Sequence, residues 1–322
     1  MPASAADPRN VKYRLVTRSD FDGLVCAVLL KHLELIGEIT FVHPKDVQDG
    51  VVEVTDRDIL TNLPYAEGAH LVFDHHHSET LRLGSTPANH IIEPDAPSAA
   101  RVIYDFYGGA ARFPDVSPEL MEAVDRADSA AYTAEEILEP TGWSLLNFLM
   151  DSRTGLGRFR HFRISNYQLM MMLIDACVQH ENVEDILRLP DVEERSQLYF
   201  SHAESFADQL RRVSRLAGDV VVVDLRDEEI IYAGNRFMVY ALFLDARVSI
   251  HVIWGKQKLN TVLAVGKSII DRTSPADVGA VMLRYGGGGH IAAGTCQVPH
   301  SDAERVIDEL VEAVSSSRTV GV

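Results

Sequence analysis

The residues best suited to chemistry are Asp20 and Asp22, separated by Phe21 and followed by Gly23, together with Asp74-His75-His76-His77, which closes the apolar run Ala69-His70-Leu71-Val72-Phe73. Two aspartates one residue apart on a turn can direct both carboxylates into one pocket, and Gly23 lets a helix start close behind them. The histidine run stands where a buried strand would end, and a strand tip holds a ligand rigidly. Carboxylate oxygens with an imidazole suit Mn²⁺ or Mg²⁺ better than zinc in a thiolate cage. Asp20 and Asp22 would also serve as helix caps. It is the joint presence of both groups that points to metal-assisted phosphate chemistry.

A third group lies near the C-terminus: Arg284-Tyr285-Gly286-Gly287-Gly288-Gly289-His290, then Ala292-Ala293-Gly294. Consecutive glycines allow backbone N–H groups to converge on an anion, with Arg284 and His290 as further donors. A phosphate cradle is the expectation, a close-packed turn the alternative. No Lys-Ser or Lys-Thr follows the glycines, so a Walker-type triphosphate loop is not supported.

The elements that must position these groups follow from periodicity. Arg14–Thr17, Glu38–His43, Val51–Val54 and His70–Phe73 read as strands, and Leu24–Ile36, Pro97–Tyr107 and Pro118–Ala127 as helices, with Ser117 as an N-cap. Such alternation predicts an α/β fold with a mainly parallel sheet covered by helices. The Met-rich stretch Ser165–His180 reads as a packing helix. Val192–Leu216 is a charged amphipathic helix and the candidate connector. Beyond it, Val220–Leu225, Met238–Leu244, Ser249–Trp254 and Leu259–Val265 read as strands and Pro275–Arg284 as a helix, which predicts a second, mixed-sheet domain. The expected organisation is residues 1–190, a connector over 191–217, and residues 218–322.

The chain has 322 residues, 46% of them apolar, and a formal charge of −17. That charge opposes coating of long duplex DNA but leaves room for a small phosphorylated substrate in a locally cationic pocket. Three scattered cysteines without paired spacing indicate neither a disulfide framework nor a structural zinc, and fit a reducing cytoplasm. Met1–Asn10 carries no apolar leader core, and no apolar run has transmembrane length, so a soluble protein is expected. Ser315-Ser316-Ser317 reads as a frayed tail. Patterning does not fix the oligomeric state, a homodimer included.

Taken in order, these motifs resemble those of the DHH phosphoesterases, in the branch with a C-terminal DHHA1 domain that includes RecJ-like exonucleases, oligoribonuclease-type enzymes and exopolyphosphatase-like proteins. Asp20-Phe21-Asp22-Gly23 is similar to the first family motif, Asp74-His75-His76 to the naming motif, and Gly286–His290 with Ala292-Ala293-Gly294 to the DHHA1 signature. The resemblance covers nearly the whole chain. It implies an N-terminal sheet domain binding one or two Mn²⁺ ions and a smaller domain that grips substrate across a cleft. It further implies Asp20, Asp22 and His75 as metal ligands, His76 facing the substrate phosphate, and Asp74 orienting the imidazoles. A further ligand falls in Ala123–Ser129, with Asp128 preferred over Asp125.

Three departures from that pattern stand out. Val16 stands where many members have a histidine. Asn62, in Ile59–Tyr65, takes the place of a metal-bridging aspartate, with Asp56 and Asp58 as nearby alternatives, so one metal would bind tightly and one weakly. Lys267, in Val265-Gly266-Lys267-Ser268, replaces an arginine, keeping charge without the two-pronged fork; Arg236 is a weaker phosphate contact. The implied reaction is Mn²⁺-dependent hydrolysis of short oligonucleotides, such as a few residues of single-stranded RNA or DNA, or of other small phosphodiesters. The rivals are phosphoanhydride hydrolysis of polyphosphate or pyrophosphate, and phosphate-ligand binding by a degenerate site.

Overall fold

The computed structural model describes residues 12–159, 161–180 and 182–315. The readings of Met1–Asn10 and of Ser316 and Ser317 fall outside them. The chain divides into two compact units, one drawn from residues 1–131, 141–151 and 159–196, the other from 132–140, 152–158 and 197–322.

The first unit is built on a five-stranded, wholly parallel sheet in the order β2-β1-β3-β4-β5. Its strands are β1 (Tyr13–Thr17), β2 (Ile36–Phe41), β3 (Asp58–Thr61), β4 (Leu71–Asp74) and β5 (His90–Ile92). The chain passes from β1 outward to β2, then reverses to β3 on the other side of β1. Open α/β sheets bind ligands at the carboxyl ends of strands beside such a reversal. Because β1, β3 and β4 are neighbours, the residues just beyond their carboxyl ends are brought together: Asp20 and Asp22, Asn62, and His75 and His76. Thr17 and Thr61 tie the two central strand ends, their hydroxyls 2.8 Å apart in the interior.

The helices of this unit are α1 (Phe21–His32), α2 (Pro44–Gln48), α3 (His77–Leu83), α4 (Ala99–Tyr107), α5 (Pro118–Asp128), α7 (Gly142–Met150), α8 (Asn166–Gln179) and α9 (Val183–Leu187); α6 (Ala134–Leu138) clusters with the second unit. Helix α1 is buried along nearly its whole length, from Phe21 to Leu30, as expected of a helix apolar on every side. Ser117 caps α5 and Ser165 caps α8, each accepting a backbone N–H of the first turn.

Helix α10 (Pro190–Val213) runs from the first unit into the second. The second unit holds a six-stranded mixed sheet in the order β10-β11-β9-β8-β7-β6. These strands are β6 (Ser214–Ala217), β7 (Val220–Asp224), β8 (Val248–Trp254), β9 (Thr261–Lys267), β10 (Gly288–His290) and β11 (Ala293–Val298). Only β7 and β8 pair in parallel. Helices α12 (Val278–Leu283) and α13 (Ala303–Val314) cover one face. Helix α13 buries Val306, Ile307, Leu310 and Val314, the spacing of a single helical stripe, and each such side chain contributes roughly 2 kcal/mol of hydrophobic stabilisation.

The α/β architecture with a second, mixed-sheet domain is as the sequence predicts, but individual elements differ. Val51–Val54 is not a strand: Val51 is exposed, Val52 and Val54 pack onto the core from a loop, and β3 takes the place beside β1. Met238–Leu244 is not a strand either, because Met238–Leu242 forms helix α11, with the Asn235 side chain and carbonyl accepting the N–H groups of Phe237 and Met238. The connector helix stops at Val213, since Ser214–Ala217 pairs with β7. The helix expected over Leu24–Ile36 ends at His32, because Ile36 begins β2, and strands β5, β10 and β11 with helices α2, α3, α6, α7, α9 and α13 are additional. Among the described residues no helix is long and apolar enough to cross a membrane.

Candidate metal centre

Helix α4 begins where α1 begins, and Asp22 joins them. The first two N–H groups of α4 donate to its carboxylate, Ala99 to Oδ2 at 3.0 Å and Ala100 to Oδ1 at 2.8 Å. The third, from Arg101, donates to Ser98 Oγ. Helix starts leave such donors unpaired unless a side chain accepts them, and a carboxylate there also meets the positive end of the helix dipole. Asp22 is fully buried, and burial first, then the charges of Asp128 and Asp20, raise its pKa to about 7. The nearby Cys26 thiol is 3.8 Å from Asp22 Oδ1 and is held neutral by the same burial and charge.

His75 comes directly after β4. Its Nδ1 stands 3.1 Å from the Ala96 carbonyl, which fixes Nδ1 as the protonated nitrogen and presents the Nε2 lone pair. Nε2 lies 3.0 Å from Asp128 Oδ2, at the end of α5, without the alignment of a hydrogen bond. Burial lowers the His75 pKa, but Asp128 and Asp22 outweigh it and raise the value to about 9. Asp22, His75 and Asp128 each offer one ligand atom, and these atoms lie within 4.8 Å of one another. Two carboxylates and an imidazole crowded this closely, with both acid–base equilibria displaced towards the protonated forms, have the donor set and the charge deficit that a divalent cation satisfies.

Asp74 is buried, and its Oδ1 accepts the backbone N–H of His75 at 2.9 Å and of His76 at 3.3 Å. The same oxygen lies 2.6 Å from His76 Nδ1, leaving the far nitrogen of that ring facing away from Asp74. His77 starts α3 instead. Asp125, one helical turn before Asp128, is engaged elsewhere. It accepts Ser98 Oγ–H at 2.8 Å and the Arg101 guanidinium at 3.0 and 2.5 Å, so it holds the α4 cap. Sequence reasoning missed Ser98 and Arg101; a Ser followed by an apolar helical run is a capping signal.

Asp20 is not in the cluster of three. It caps α1 through the Gly23 N–H at 2.9 Å, receives the Asn62 amide nitrogen at 3.2 Å, and pairs with Arg18 Nε at 3.1 Å. Asn62 is buried with a positive φ of 55°, a left-handed conformation that asparagine tolerates well, and its Oδ1 has no hydrogen-bond partner. Asp58 lies at the amino end of β3, bound by Arg14 at 2.7 and 2.8 Å, and Asp56 precedes it in the chain.

In the second unit, Gly286 and Gly287 donate their N–H groups to the Leu283 and Met282 carbonyls at the end of α12. Gly288, Gly289 and His290 form β10, paired with β11. A Cβ at Gly287 would lie 2.3 Å from the Thr295 carbonyl oxygen, whereas one at Gly288 would meet nothing within 4 Å. Arg284 and His290 are exposed. Lys267 Nζ donates to the Ala276 carbonyl at 3.0 Å. Arg236 lies over the Phe237 ring, 4.1 Å from its centroid.

No family model and no curated protein matches the chain. Among solved structures it is similar to PggH, a pGpG-specific phosphodiesterase from Vibrio cholerae, at 58% identity and a TM-score of 0.83 over 94% of this chain and 99% of that one. CDC45 from Entamoeba histolytica matches over 96% of each chain at 10% identity and a TM-score of 0.51, a likeness of fold alone. With its Asp-x-Asp and Asp-His-His strand ends gathered at one sheet edge and this identity to a phosphodiesterase, the chain belongs to the DHH phosphoesterase family and is a phosphohydrolase.

Proposed function

We propose that this protein hydrolyses the linear guanine dinucleotide pGpG to two molecules of GMP, in a reaction that depends on Mn²⁺. The observation that carries this reading is the 58% identity to a pGpG-specific phosphodiesterase over 94% of the chain. The Asp22, His75 and Asp128 cluster supports it. One water is consumed: its oxygen bonds to phosphorus, the phosphorus–O3′ bond breaks, and the 3′-oxygen leaves with a proton.

Asp22, His75 and Asp128 would hold the cation, with Asn62 a weaker oxygen donor. When bound, the cation supplies Lewis-acid charge at the phosphoryl oxygens and makes water a better nucleophile at neutral pH. The chain's own residues organise everything around it. The α4 N-terminus fixes the Asp22 carboxylate, the Ala96 carbonyl fixes the His75 tautomer, and Asp74 fixes His76. His76, held through Nδ1, is the group to protonate the departing oxygen from its other nitrogen. Gly288, Gly289, His290, Arg284 and Lys267 are the residues we assign to the terminal phosphate, with Gly286 and Gly287 shaping the turn. Three buried free cysteines fit a reducing cytoplasm.

The test is product formation by metal-stripped protein with and without Mn²⁺ on pGpG, other dinucleotides, a guanine trinucleotide, pyrophosphate and short polyphosphate. Mn²⁺-dependent GMP release from pGpG, in preference to the rest, is expected. Preference for polyphosphate or pyrophosphate, or binding of pGpG without turnover, would overturn the reading.

A further inference from the structure

The family resemblance implies one or two cations, and the described residues do not fit a second. Among them the one cluster of three or more ligating side chains is Asp22, His75 and Asp128, and Asp20 is not in it. A pair of metal ions about 3.5–4 Å apart requires an anionic group between them to screen their repulsion. Where such a bridge would come from the end of β3, this chain has the neutral Asn62. Its amide nitrogen, a donor, is turned towards Asp20, 3.2 Å from Oδ1 and 3.4 Å from Oδ2.

A protein-borne cation already stands at Asp20. Arg18 Nε is 3.1 Å from Asp20 Oδ2, and about a third of the Arg18 side chain is exposed. The residue comes immediately after β1, and its carbonyl oxygen packs closely against Gly23, where a Cβ would lie 2.1 Å from it. With Nε given to Asp20, the planar guanidinium keeps its two terminal nitrogens, the fork that matches a phosphate in a two-pronged contact.

We propose that this enzyme works with a single catalytic cation, held by Asp22, His75 and Asp128, and that the Arg18 guanidinium stands in for the second. Arg18 binds the non-bridging oxygens of the scissile phosphate and stabilises the charge that grows there. Asp20 is then an arginine-positioning residue. This rests on the phosphodiesterase reading for its substrate, but not for its metal count.

Two measurements test it. Manganese is counted per chain after equilibration and gel filtration, with and without a phosphorothioate pGpG, and the paramagnetic spectrum is recorded on the same samples. One ion per chain with an uncoupled Mn²⁺ signal is expected. Two ions per chain with an exchange-coupled signal would overturn the inference whether or not pGpG is hydrolysed, whereas failure to hydrolyse pGpG with one ion bound would overturn only the proposed substrate. Turnover of Arg18→Ala is expected to fall about 100-fold, the usual effect of removing one transition-state donor, with the manganese count unchanged and part of the rate restored in Arg18→Lys. Undiminished turnover in Arg18→Ala would refute the role given to the guanidinium. The double variant Arg18→Ala with Asn62→Asp, which returns a carboxylate to β3 and removes the competing cation, is expected to take up a second manganese.

Discussion

Asp22 and Asp128 reach the same cluster from different structural circumstances, and replacing each by alanine in metal-free protein separates them. Asp22→Ala removes the acceptor of two buried N–H groups at the start of α4, each of which costs about 1–3 kcal/mol when left unpaired. Part of that loss is offset, because the buried Asp22 carboxylate is itself held against the charges of Asp128 and Asp20. A net destabilisation of roughly 2–4 kcal/mol results. Asp128→Ala removes a side chain that is about a quarter exposed and faces His75, and it relieves the repulsion on Asp22. Its expected effect lies within about 1 kcal/mol of the parent. Urea unfolding in chelator gives the two values directly. Added Mn²⁺ should raise the parent's midpoint and leave both variants where they were. If Asp128→Ala destabilised the metal-free protein as much as Asp22→Ala, the division into a helix anchor and a freely held ligand would be wrong.

In chelator the protein should lose stability between about pH 4 and pH 9, because Asp22 and His75 both have folded pKa values above their unfolded ones, so the Asp22 contribution is lost as pH rises from about 4 to about 7 and the His75 contribution from about 6.5 to about 9; thermal melts across that range, with the trend weakened by Mn²⁺, check it. With the proposed ligands, Mn²⁺ displaces a proton from His75, so its apparent affinity should rise up to tenfold per pH unit between about pH 7 and pH 9, measured by titration calorimetry. Gly287→Ala should destabilise the second unit by about 1–3 kcal/mol, since its methyl group would strike the Thr295 carbonyl, whereas Gly288→Ala should fold normally and raise KM for pGpG. Asp125→Ala should cost about 1–2 kcal/mol through the α4 cap while leaving the manganese count unchanged, as a combined melt and metal analysis would show.

The sequence made Asp20, Asp22, Asp74, His75 and His76 legible because each comes at or just beyond an apolar run short enough to be a strand, and parallel strands deliver the residues at their carboxyl ends to one edge. Strand order was not legible, yet it is the adjacency of β1, β3 and β4 that gathers those residues. Asp125 and Asp128 could not be separated by pattern, since three residues apart they share a helix face; what separates them is Arg101 and Ser98, which reach Asp125 from another helix. Met238–Leu244 is apolar throughout and so has no period to read, which left helix and strand equally open. β5 is three residues long and β6 is a partly exposed edge, and neither presents enough alternation to be seen. The engagement of Asp20 by Arg18 and Asn62 depends on the local approach of two strand ends and carries no sequence signature.

The attachment of α4 to Asp22 bears on how this protein can change over evolutionary time. With the ligand role proposed for it, a side chain that also supports a helix is under two kinds of selection, and relaxing the demand for catalysis removes only one of them. Copies drifting away from hydrolysis should therefore lose Asp128 or His75 early and keep Asp22 long after activity is gone, because a chain without it folds poorly whatever its task. An intact aspartate at this position, found alone in a divergent descendant, would record ancestry and foldability without recording function.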